Sequence, residues 1–310
     1  MSGIKSSPIV SIGLPIYNGE EHVREALDSL LSQTISDFEL IISDNASIDK
    51  SEEICLEYAR NDERICYYRS EVNNGAIWNV NRVFELSRGK YFMWAAHDDL
   101  WERNFIETCL KGFDSNADII LSATGSNIMN DEMNELIVLD RGLTTVGQEP
   151  AARFKKYRRM IQGYPNTNSI FYGLHRRETL GKVMPMKKIM AVDHVLLATS
   201  TLVGEFITSD EVLHYKRYGG ASSSHQSNAR TCKIDNPFLI KFPYLIREYY
   251  FQNIILTSGK ISFPNSIIIS LWSLSNYLFQ LVDYHALLLT LKNYIYKKFQ
   301  TIRSDFIQKA

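Results

Sequence analysis

The amino-acid sequence predicts an α/β fold built on a mostly parallel, doubly wound central sheet with flanking helices. Two observations support this prediction. Apolar runs of strand length alternate with helical patterns over about the first 125 residues. Polar turn motifs follow these runs, and one run ends in two adjacent carboxylates, Asp98 and Asp99. Strands separated by helices are typical of a parallel sheet, because a parallel connection has to cross back over the sheet.

The apolar runs predict five strands in this part of the chain, at residues 8–14, 38–43, 65–69, 90–96 and 119–123. Between the first two strands, the apolar residues recur at the spacing of one helix face: Val23, Ala26, Leu27, Leu30 and Leu31. Further helices are predicted at about residues 50–60, 75–87 and 102–113.

Four polar motifs each follow a predicted strand. They are Asn18-Gly19, Asp44-Asn45, Asn73-Asn74-Gly75 and Asp98-Asp99. The carboxyl ends of parallel strands share one edge of a sheet, which is where α/β proteins bind ligands. We therefore expect the four motifs to converge on one ligand.

The acid pair Asp98-Asp99 directly follows a buried run, where two carboxylates repel each other and lose hydration. A divalent metal is the simplest compensating cation. A metal held by one or two protein oxygens keeps positions free for phosphate oxygens, so the pair indicates a metal–diphosphate site. The alternatives are a solvated turn or a helix N-cap, since Asp99 precedes Leu100-Trp101-Glu102-Arg103.

Residues 126–233 follow a less regular pattern. Glu149 to Gln162 predicts a basic helix, which is either a solvated face or a surface for an anionic acceptor or membrane. Ala191 to Leu197 begins an apolar helix with one early acid, Asp193. A polar loop at residues 218–228 contains His225.

The composition shifts at about residue 234, where aromatic and aliphatic residues begin to crowd the helical patterns. We expect residues 234–310 to form a helical C-terminal region that packs on the domain, mediates a homo-oligomer or contacts a membrane surface. Its longest apolar stretch is interrupted by polar groups that disfavour a transmembrane helix: Asn276, Gln280, Asp283 and His285.

The bulk composition excludes some classes of protein. A formal net charge of −1 argues against a nucleic-acid partner, for which a basic balance is expected. The four cysteines are scattered without metal-ligand spacing, which predicts reduced thiols. The polar segment from Met1 to Ser7 has no apolar signal core. These features predict a cytoplasmic protein, with the inner face of the membrane as a further site if the C-terminal helices bind lipid.

Taken together, the motifs from Ile9 to Ser227 resemble family-2 inverting glycosyltransferases of the GT-A fold, a Rossmann-like architecture. The markers are Pro15-Ile-Tyr17-Asn18, Gln33-Thr34, Phe38-Glu39 with Asp44, Asn74-Gly75, Asn81, Arg88-Gly89 and Asp98-Asp99. The resemblance implies a GT-A domain at residues 1–233, with a nucleotide-sugar half (1–125) and an acceptor half (126–233). Two positions depart from the family pattern. Asn45 and His97 stand where many relatives have acids.

The resemblance also implies roles for individual residues. The donor is a nucleoside-diphosphate sugar, with a UDP-sugar favoured and a dTDP-sugar second. The residues expected to hold the nucleobase and ribose are Pro15, Tyr17, Asn18 and Asp44. Asn74, Gly75 and Asn81 would line the pocket near the ribose or sugar, although turn chemistry explains Asn74-Gly75 equally well. Asp98 would contact the ribose or sugar, with His97 supporting the acid pair or serving as a structural histidine.

On the same resemblance, Asp99 ligates Mg²⁺ or Mn²⁺, with His225 as a further metal ligand. Asp193 is the candidate catalytic base, which takes a proton from the acceptor hydroxyl; a dipole-stabilised acid at a helix start is the alternative. The acceptor would be a glycan or lipid-linked glycan in surface polysaccharide biosynthesis.

Other functions remain open. A sugar nucleotidyltransferase has a similar sheet but needs a basic triphosphate loop, and residues 13–24 contain no lysine. A non-catalytic sugar-nucleotide-binding or scaffolding subunit would dock a partner through its aromatic C-terminal region. A dinucleotide oxidoreductase is disfavoured, since no Gly-x-Gly-x-x-Gly motif follows a strand.

Overall fold

A computed structural model describes residues 7–162, 168–218, 230–236, 238, 243–262 and 264–275. The described residues form one sheet of nine strands. The strands are β1 (Val10–Ile16), β2 (Phe38–Asp44), β3 (Ile65–Arg69), β4 (Tyr91–Trp94), β5 (Leu100–Trp101), β6 (Ile119–Met129), β7 (Leu136–Asp140), β8 (Leu174–Arg176) and β9 (Glu205–Arg217). The helices are α1 (Val23–Leu31), α2 (Ser51–Asn61), α3 (Ala76–Leu86), α4 (Phe105–Gly112), α5 (Pro150–Met160), α6 (Arg177–Gly181), α7 (Val192–Val203) and α8 (Pro243–Thr257), with a 3₁₀ turn at Ser169–Tyr172.

The first half of the sheet is parallel, in the order β3-β2-β1-β4. Helices connect these strands, which confirms the α/β fold class predicted from the alternating pattern. The carboxyl ends of β1 to β4 therefore lie at one edge, and the four polar motifs follow them there.

Beyond β4 the sheet is mixed. β8 lies between β4 and β6 and is antiparallel to both, whereas β9 runs parallel to β6 and antiparallel to the short strand β5. Because β5 directly follows the acid pair, its pairing with β9 brings the end of β9 beside Asp98 and Asp99.

The sheet has a hydrophobic core on each face, as a doubly wound fold requires. Alternate residues of β2 divide between them: Ile41 joins one core, while Leu40 and Ile42 join the other. Helix α3 approaches the sheet so closely that a Cβ on Gly13 would lie 2.8 Å from Val83. A larger residue at position 13 would therefore push α3 off the sheet.

Helix α8 packs on the same core as α5 and α7. Phe251 of α8 is fully buried, and its ring meets that of Phe154 edge-on, with ring centroids 5.9 Å apart. The described part of the C-terminal region thus packs directly on the sheet domain. None of the described helices is long and apolar enough to cross a membrane.

Candidate active site

The turn after β1 is held against the turn after β2. The backbone N–H of Asn18 donates to Ser47 Oγ at 3.0 Å, and that of Gly19 donates to Ser51 Oγ at 2.8 Å. Pro15 is half-buried at the end of β1, while Tyr17 and Asn18 are exposed beside it. Three of the residues predicted to bind the nucleotide therefore lie together at the carboxyl edge.

Asn45 explains one departure from the family pattern. Its Nδ2 donates to Asn73 Oδ1 at 3.0 Å and to Gly75 O at 3.3 Å, and its Oδ1 accepts from Asn74 N at 2.9 Å. An aspartate cannot donate hydrogen bonds when ionised, so only the amide can hold the turn after β3 in this way. Asn45 thus fixes the Asn74-Gly75 turn predicted to line the pocket.

Asp44 is completely buried, and its carboxylate already has three donors. Oδ2 accepts from Tyr67 Oη at 2.8 Å and Arg69 Nη1 at 2.5 Å, and Oδ1 accepts from Ser47 N at 2.8 Å. Its role with the nucleobase therefore stays a prediction, and a ligand would have to reach it past the partly exposed guanidinium of Arg69.

Two further predicted pocket residues have clear structural roles. Gly75 has a φ of 89°, and a Cβ there would lie 3.0 Å from Cys232 O, so the position favours glycine on both counts. The Asn81 side chain donates to Met186 O at 2.9 Å and accepts from Met186 N at 2.8 Å. These bonds tie α3 to the chain before α7 and use both ends of the Asn81 amide.

The two members of the acid pair have different surroundings. Asp99 is buried, with Oδ1 accepting from Arg217 N at 3.0 Å and Oδ2 lying 3.2 Å from His214 Nε2. His214 Nδ1 is 2.9 Å from Ser126 Oγ. With the imidazole proton on Nε2, His214 donates to Asp99 and accepts from Ser126. Asp99 therefore has protein partners at both carboxylate oxygens.

Arg217 holds the acid-pair turn from the end of β9. Its Nε donates to Asp98 O at 3.0 Å, its Nη2 to Glu25 Oε2 at 2.9 Å, and its Nη1 to Asp131 O. Neither His214 nor Arg217 stood out in the sequence, because each lies well over a hundred residues from the acid pair. The five strands predicted from the sequence do not include Glu205–Arg217, which carries both residues, so no pattern pointed to them.

Asp98 is the open member of the pair. It is half-buried, and the hydrogen bond that its carboxylate accepts within the described residues comes from its own backbone N–H. Burial raises the pKa of Asp98, and the adjacent charge of Asp99 raises it further, against the opposing effect of His97 and His22. The His97 ring packs on Gly19, where a Cβ would collide with it. Asp98 is thus a partly desolvated carboxylate without a cation.

This environment fits a metal that takes most of its ligands from a diphosphate and water. Within the described ranges, no three His, Cys, Asp or Glu side chains are grouped to hold a metal ion by themselves. A hard divalent cation at a phosphate site needs only one or two protein carboxylates, and Asp98 offers one. Of the two predicted metal ligands, Asp99 has both carboxylate oxygens bonded and His225 lies outside the described residues.

Asp193 lies at the start of α7 with its side chain about one third exposed (36%). Its Oδ2 accepts from Asn168 Nδ2 at 2.7 Å and lies 3.7 Å from His194 Nε2. Burial opposes ionisation, but His194, the Asn168 hydrogen bond and Lys216 together lower the pKa of Asp193 below its usual value. A backbone hydrogen bond from His194 also reaches the carboxylate, and Asp193 is therefore ionised at neutral pH.

Tyr172 connects the acid pair to Asp193. Burial raises its pKa well above the usual value, and the charges of Asp99, Asp98 and Asp193 raise it further. The Tyr172 ring centroid lies 5.5 Å from that of His214, and Lys216 Nζ lies 5.3 Å from the Tyr172 centroid. The charges of Asp98, after β4, and of Asp193, in α7, thus both act on Tyr172.

The family model described as glycosyl transferase family 2 matches residues 11–180, more than half of the chain. The chain belongs to glycosyl transferase family 2. The matched span of this glycosyltransferase includes the whole carboxyl edge and the acid pair, and ends before Asp193.

Curated relatives agree with the family. The chain is 34% identical over 175 residues to an uncharacterized glycosyltransferase of Rickettsia typhi, covering 54% of this chain and 49% of the relative. It is 32% identical over 122 residues to TuaG of Bacillus subtilis, whose name attributes it to teichuronic acid biosynthesis, covering 39% of this chain and 48% of TuaG. The chain spans about half the length of these relatives.

Solved structures agree with the fold. Crystal structures of S. aureus TarS residues 1–349 with UDP and with UDP-GlcNAc each match with a TM-score of 0.61, at 15% and 16% identity. They cover 86% of this chain and 70% and 71% of the TarS chains. The family-2 glycosyltransferase described here therefore has the GT-A fold, as the sequence motifs predicted.

Proposed function

We propose that this family-2 glycosyltransferase moves a sugar, with inversion at the anomeric carbon, from a nucleoside-diphosphate sugar to a hydroxyl of a glycan or lipid-linked glycan. A single observation carries the proposal: the turn from Asn168 to Tyr172 contacts both acid sites. Asn168 Nδ2 donates to Asp193 Oδ2 at 2.7 Å, and the Tyr172 ring packs on His214, which lies 3.2 Å from Asp99. Inverting transfer needs a donor-side group at the leaving diphosphate and a base on the opposite face of the sugar, which the acid pair and Asp193 supply.

On the donor side, Tyr17, Asn18 and the turn at Asn74-Gly75 surround the nucleoside, next to Asp44. UDP is the favoured nucleotide and dTDP the second; the likeness to TarS bound to UDP supports this order. Asp98, rather than Asp99, would hold Mg²⁺ or Mn²⁺, because both oxygens of Asp99 are already bonded. His225 stays a proposed further ligand. The metal, when bound, supplies positive charge that stabilises the leaving diphosphate.

On the acceptor side, Asp193 removes the proton from the attacking hydroxyl. Asn168 donates to Oδ2 and the His194 ring lies 3.7 Å from the same oxygen, so both contacts orient the carboxylate toward the acceptor. The low pKa of Asp193 keeps it ionised and ready to accept a proton.

The acceptor class is proposed from the relatives. TuaG is named for teichuronic acid biosynthesis, which supports a surface polysaccharide as the product. A lipid-linked acceptor would bring the enzyme to the inner face of the membrane. There the exposed Lys156 and Arg159 of α5 would face anionic lipid, whereas Arg153 and Arg158 are buried.

The first experiment is thermal unfolding with UDP, dTDP, GDP and CMP, each with and without Mn²⁺. We expect a metal-dependent stabilisation by one diphosphate, about 2.7 kcal/mol at a hundredfold excess over Kd. The corresponding UDP- or dTDP-sugars are then tested for transfer, and NMR of the product gives its anomeric configuration.

The matched variant is Asp193→Asn, which should keep the nucleotide-dependent stabilisation and lose transfer. A retained anomeric configuration, or full activity in this variant, would contradict the inverting mechanism. Binding without turnover over a broad sugar and acceptor panel would instead favour the non-catalytic subunit.

A further inference from the structure

Helix α8 carries two adjacent buried charges. Arg247 is 3% exposed and Glu248 is 2% exposed, on a helix that lies outside the matched family region. Taking charged groups out of water is costly unless they are paired with good geometry. The partners of these two residues therefore show what holds α8 against α5 and α7.

Glu248 has partners at both carboxylate oxygens. Oε2 accepts from Arg158 Nη2 of α5 at 2.8 Å, and Oε1 accepts from Ser273 Oγ at 2.6 Å and Gln252 Nε2 at 2.7 Å. Arg158 is fully buried, and burial lowers its pKa to about 10. Because Glu248 is already paired with Arg158, Arg247 is held by a different partner.

The partner of Arg247 is His194. Arg247 Nη1 lies 3.0 Å from His194 Nδ1, and a guanidinium can only donate hydrogen bonds. Nδ1 must therefore be the acceptor, which places the proton of the neutral imidazole on Nε2. Nε2 is the nitrogen that lies 3.7 Å from Asp193 Oδ2. The contact from α8 thus determines which ring nitrogen presents its N–H to the candidate base.

The charges around His194 favour the same state. It faces Asp193 of α7, Arg247 of α8, Arg158 of α5 and Lys216 of β9. Burial lowers the pKa of His194, and the three cations lower it further, against the opposing effect of Asp193. His194 is therefore neutral at pH 7, and its Nε2–H lies 3.7 Å from Asp193 Oδ2, beyond hydrogen-bond distance, as a dipole that stabilises the carboxylate charge.

We propose that Arg247 is a positioning residue for Asp193, acting through His194. Arg247 fixes the Nε2–H form of the imidazole, and the dipole of that N–H, together with the Asn168 hydrogen bond, holds the Asp193 carboxylate in place for the acceptor hydroxyl. Helix α8 is then part of the transfer machinery. This inference rests on the proposed role of Asp193 as the base.

The first test measures the imidazole directly, by long-range ¹H–¹⁵N NMR of the full chain, with the His194 signal assigned by its loss in His194→Asn. We expect the neutral Nε2–H tautomer at pH 7 in the wild type. In Arg247→Met, which removes the donor and keeps an unbranched apolar stem, the pKa of His194 should rise, because a cation that lowers it is lost. A neutral Nδ1–H tautomer or an imidazolium in the wild type at pH 7 would overturn the proposal.

The second test measures transfer with the UDP- or dTDP-sugar donor. Arg247→Met should lower kcat about tenfold with the donor KM unchanged, because only the orientation of the base is affected. Arg247→Lys, which keeps a cationic donor, should restore part of the loss. The double variant Arg247→Met/His194→Asn should be no slower than His194→Asn alone, because the two residues act in series.

The matched control is Arg153→Met. Arg153 is also a buried arginine of the α5–α7 contact, but its Nε donates to Thr201 O, about two turns along α7 from His194. This variant should lose stability and keep the His194 tautomer and kcat. Unchanged kcat in folded Arg247→Met, or additive losses in the double variant, would overturn the positioning role. No transfer by the wild type, with the Nε2–H tautomer present, would overturn the proposed function alone.

Discussion

The carboxylates at the two edges of the parallel sheet differ in their hydrogen-bond partners. At the amino edge, buried Glu39 accepts from Ser11 Oγ at 2.6 Å and Arg88 N at 2.8 Å through Oε1, and from Arg88 Nη2 at 2.6 Å and Nε at 3.0 Å through Oε2. At the carboxyl edge, the hydrogen bond that the Asp98 carboxylate accepts within the described residues comes from its own backbone and not from a cationic side chain. Both belong to motifs that resemble the same family.

This difference separates a structural motif from a functional one. Glu39 joins β1, β2 and the turn before β4, where Gly89 allows the backbone to lie against Ser11. Its satisfied carboxylate stabilises the sheet. Asp98 has no cationic hydrogen-bond partner among the described residues, so its burial is a cost that a bound cation would offset. The carboxylate that lacks such a partner therefore marks the candidate active site.

The largest expected effect that tests this comparison is on catalysis. Asp98→Asn should lower transfer at least about a hundredfold, since it removes the carboxylate proposed to hold the metal beside the leaving diphosphate. Its melting temperature should not fall, because the substitution removes a buried, repelled charge. Glu39→Gln makes the same chemical change at the other edge and should keep kcat. Near-normal transfer by Asp98→Asn would refute the assignment.

A smaller effect is expected from His175, which lies on β8 beside β4, between the two edges. Burial lowers its pKa from 6.5 to about 4, so the unfolded chain binds a proton in this range that the folded chain does not. Stability should therefore fall as the pH drops from about 6.5 to about 4, by up to about 3 kcal/mol. In urea unfolding, the free energy of unfolding of His175→Gln should fall less than that of the wild type between pH 6.5 and pH 4. The same pH dependence in both proteins would contradict the role of His175.

The smallest expected effect is on stability at the amino edge. Arg88→Met leaves the Glu39 carboxylate without its guanidinium and should lower the free energy of unfolding by about 1–3 kcal/mol at pH 7, with kcat unchanged. Arg24→Met removes a solvent-exposed pair with Glu57 and serves as the control, with less than about 1 kcal/mol expected. Equal losses in the two variants would show that the Glu39 network adds no special stability.

The sequence by itself predicted five of the nine described strands, β1 to β4 and β6, together with the helices between them and the polar turns after β1 to β4. It did not predict β5, β7, β8 and β9. The predicted features depend on local periodicity and turn chemistry, which a single segment carries. The family motifs added the fold and the family, both of which are confirmed. The roles of Asp98, Asp99 and Asp193 stay predictions.

The tertiary structure decided which acid of the pair is open and how Asp193 is held. His214 and Arg217 bond Asp99 from 115 and 118 residues away, and Arg247 reaches His194 across 53 residues. No local pattern encodes such partners, because they depend on which strands and helices become neighbours after the chain folds. The chemistry of a buried carboxylate depends on those partners. The sequence therefore predicted the acids of the site but not their electrostatic states.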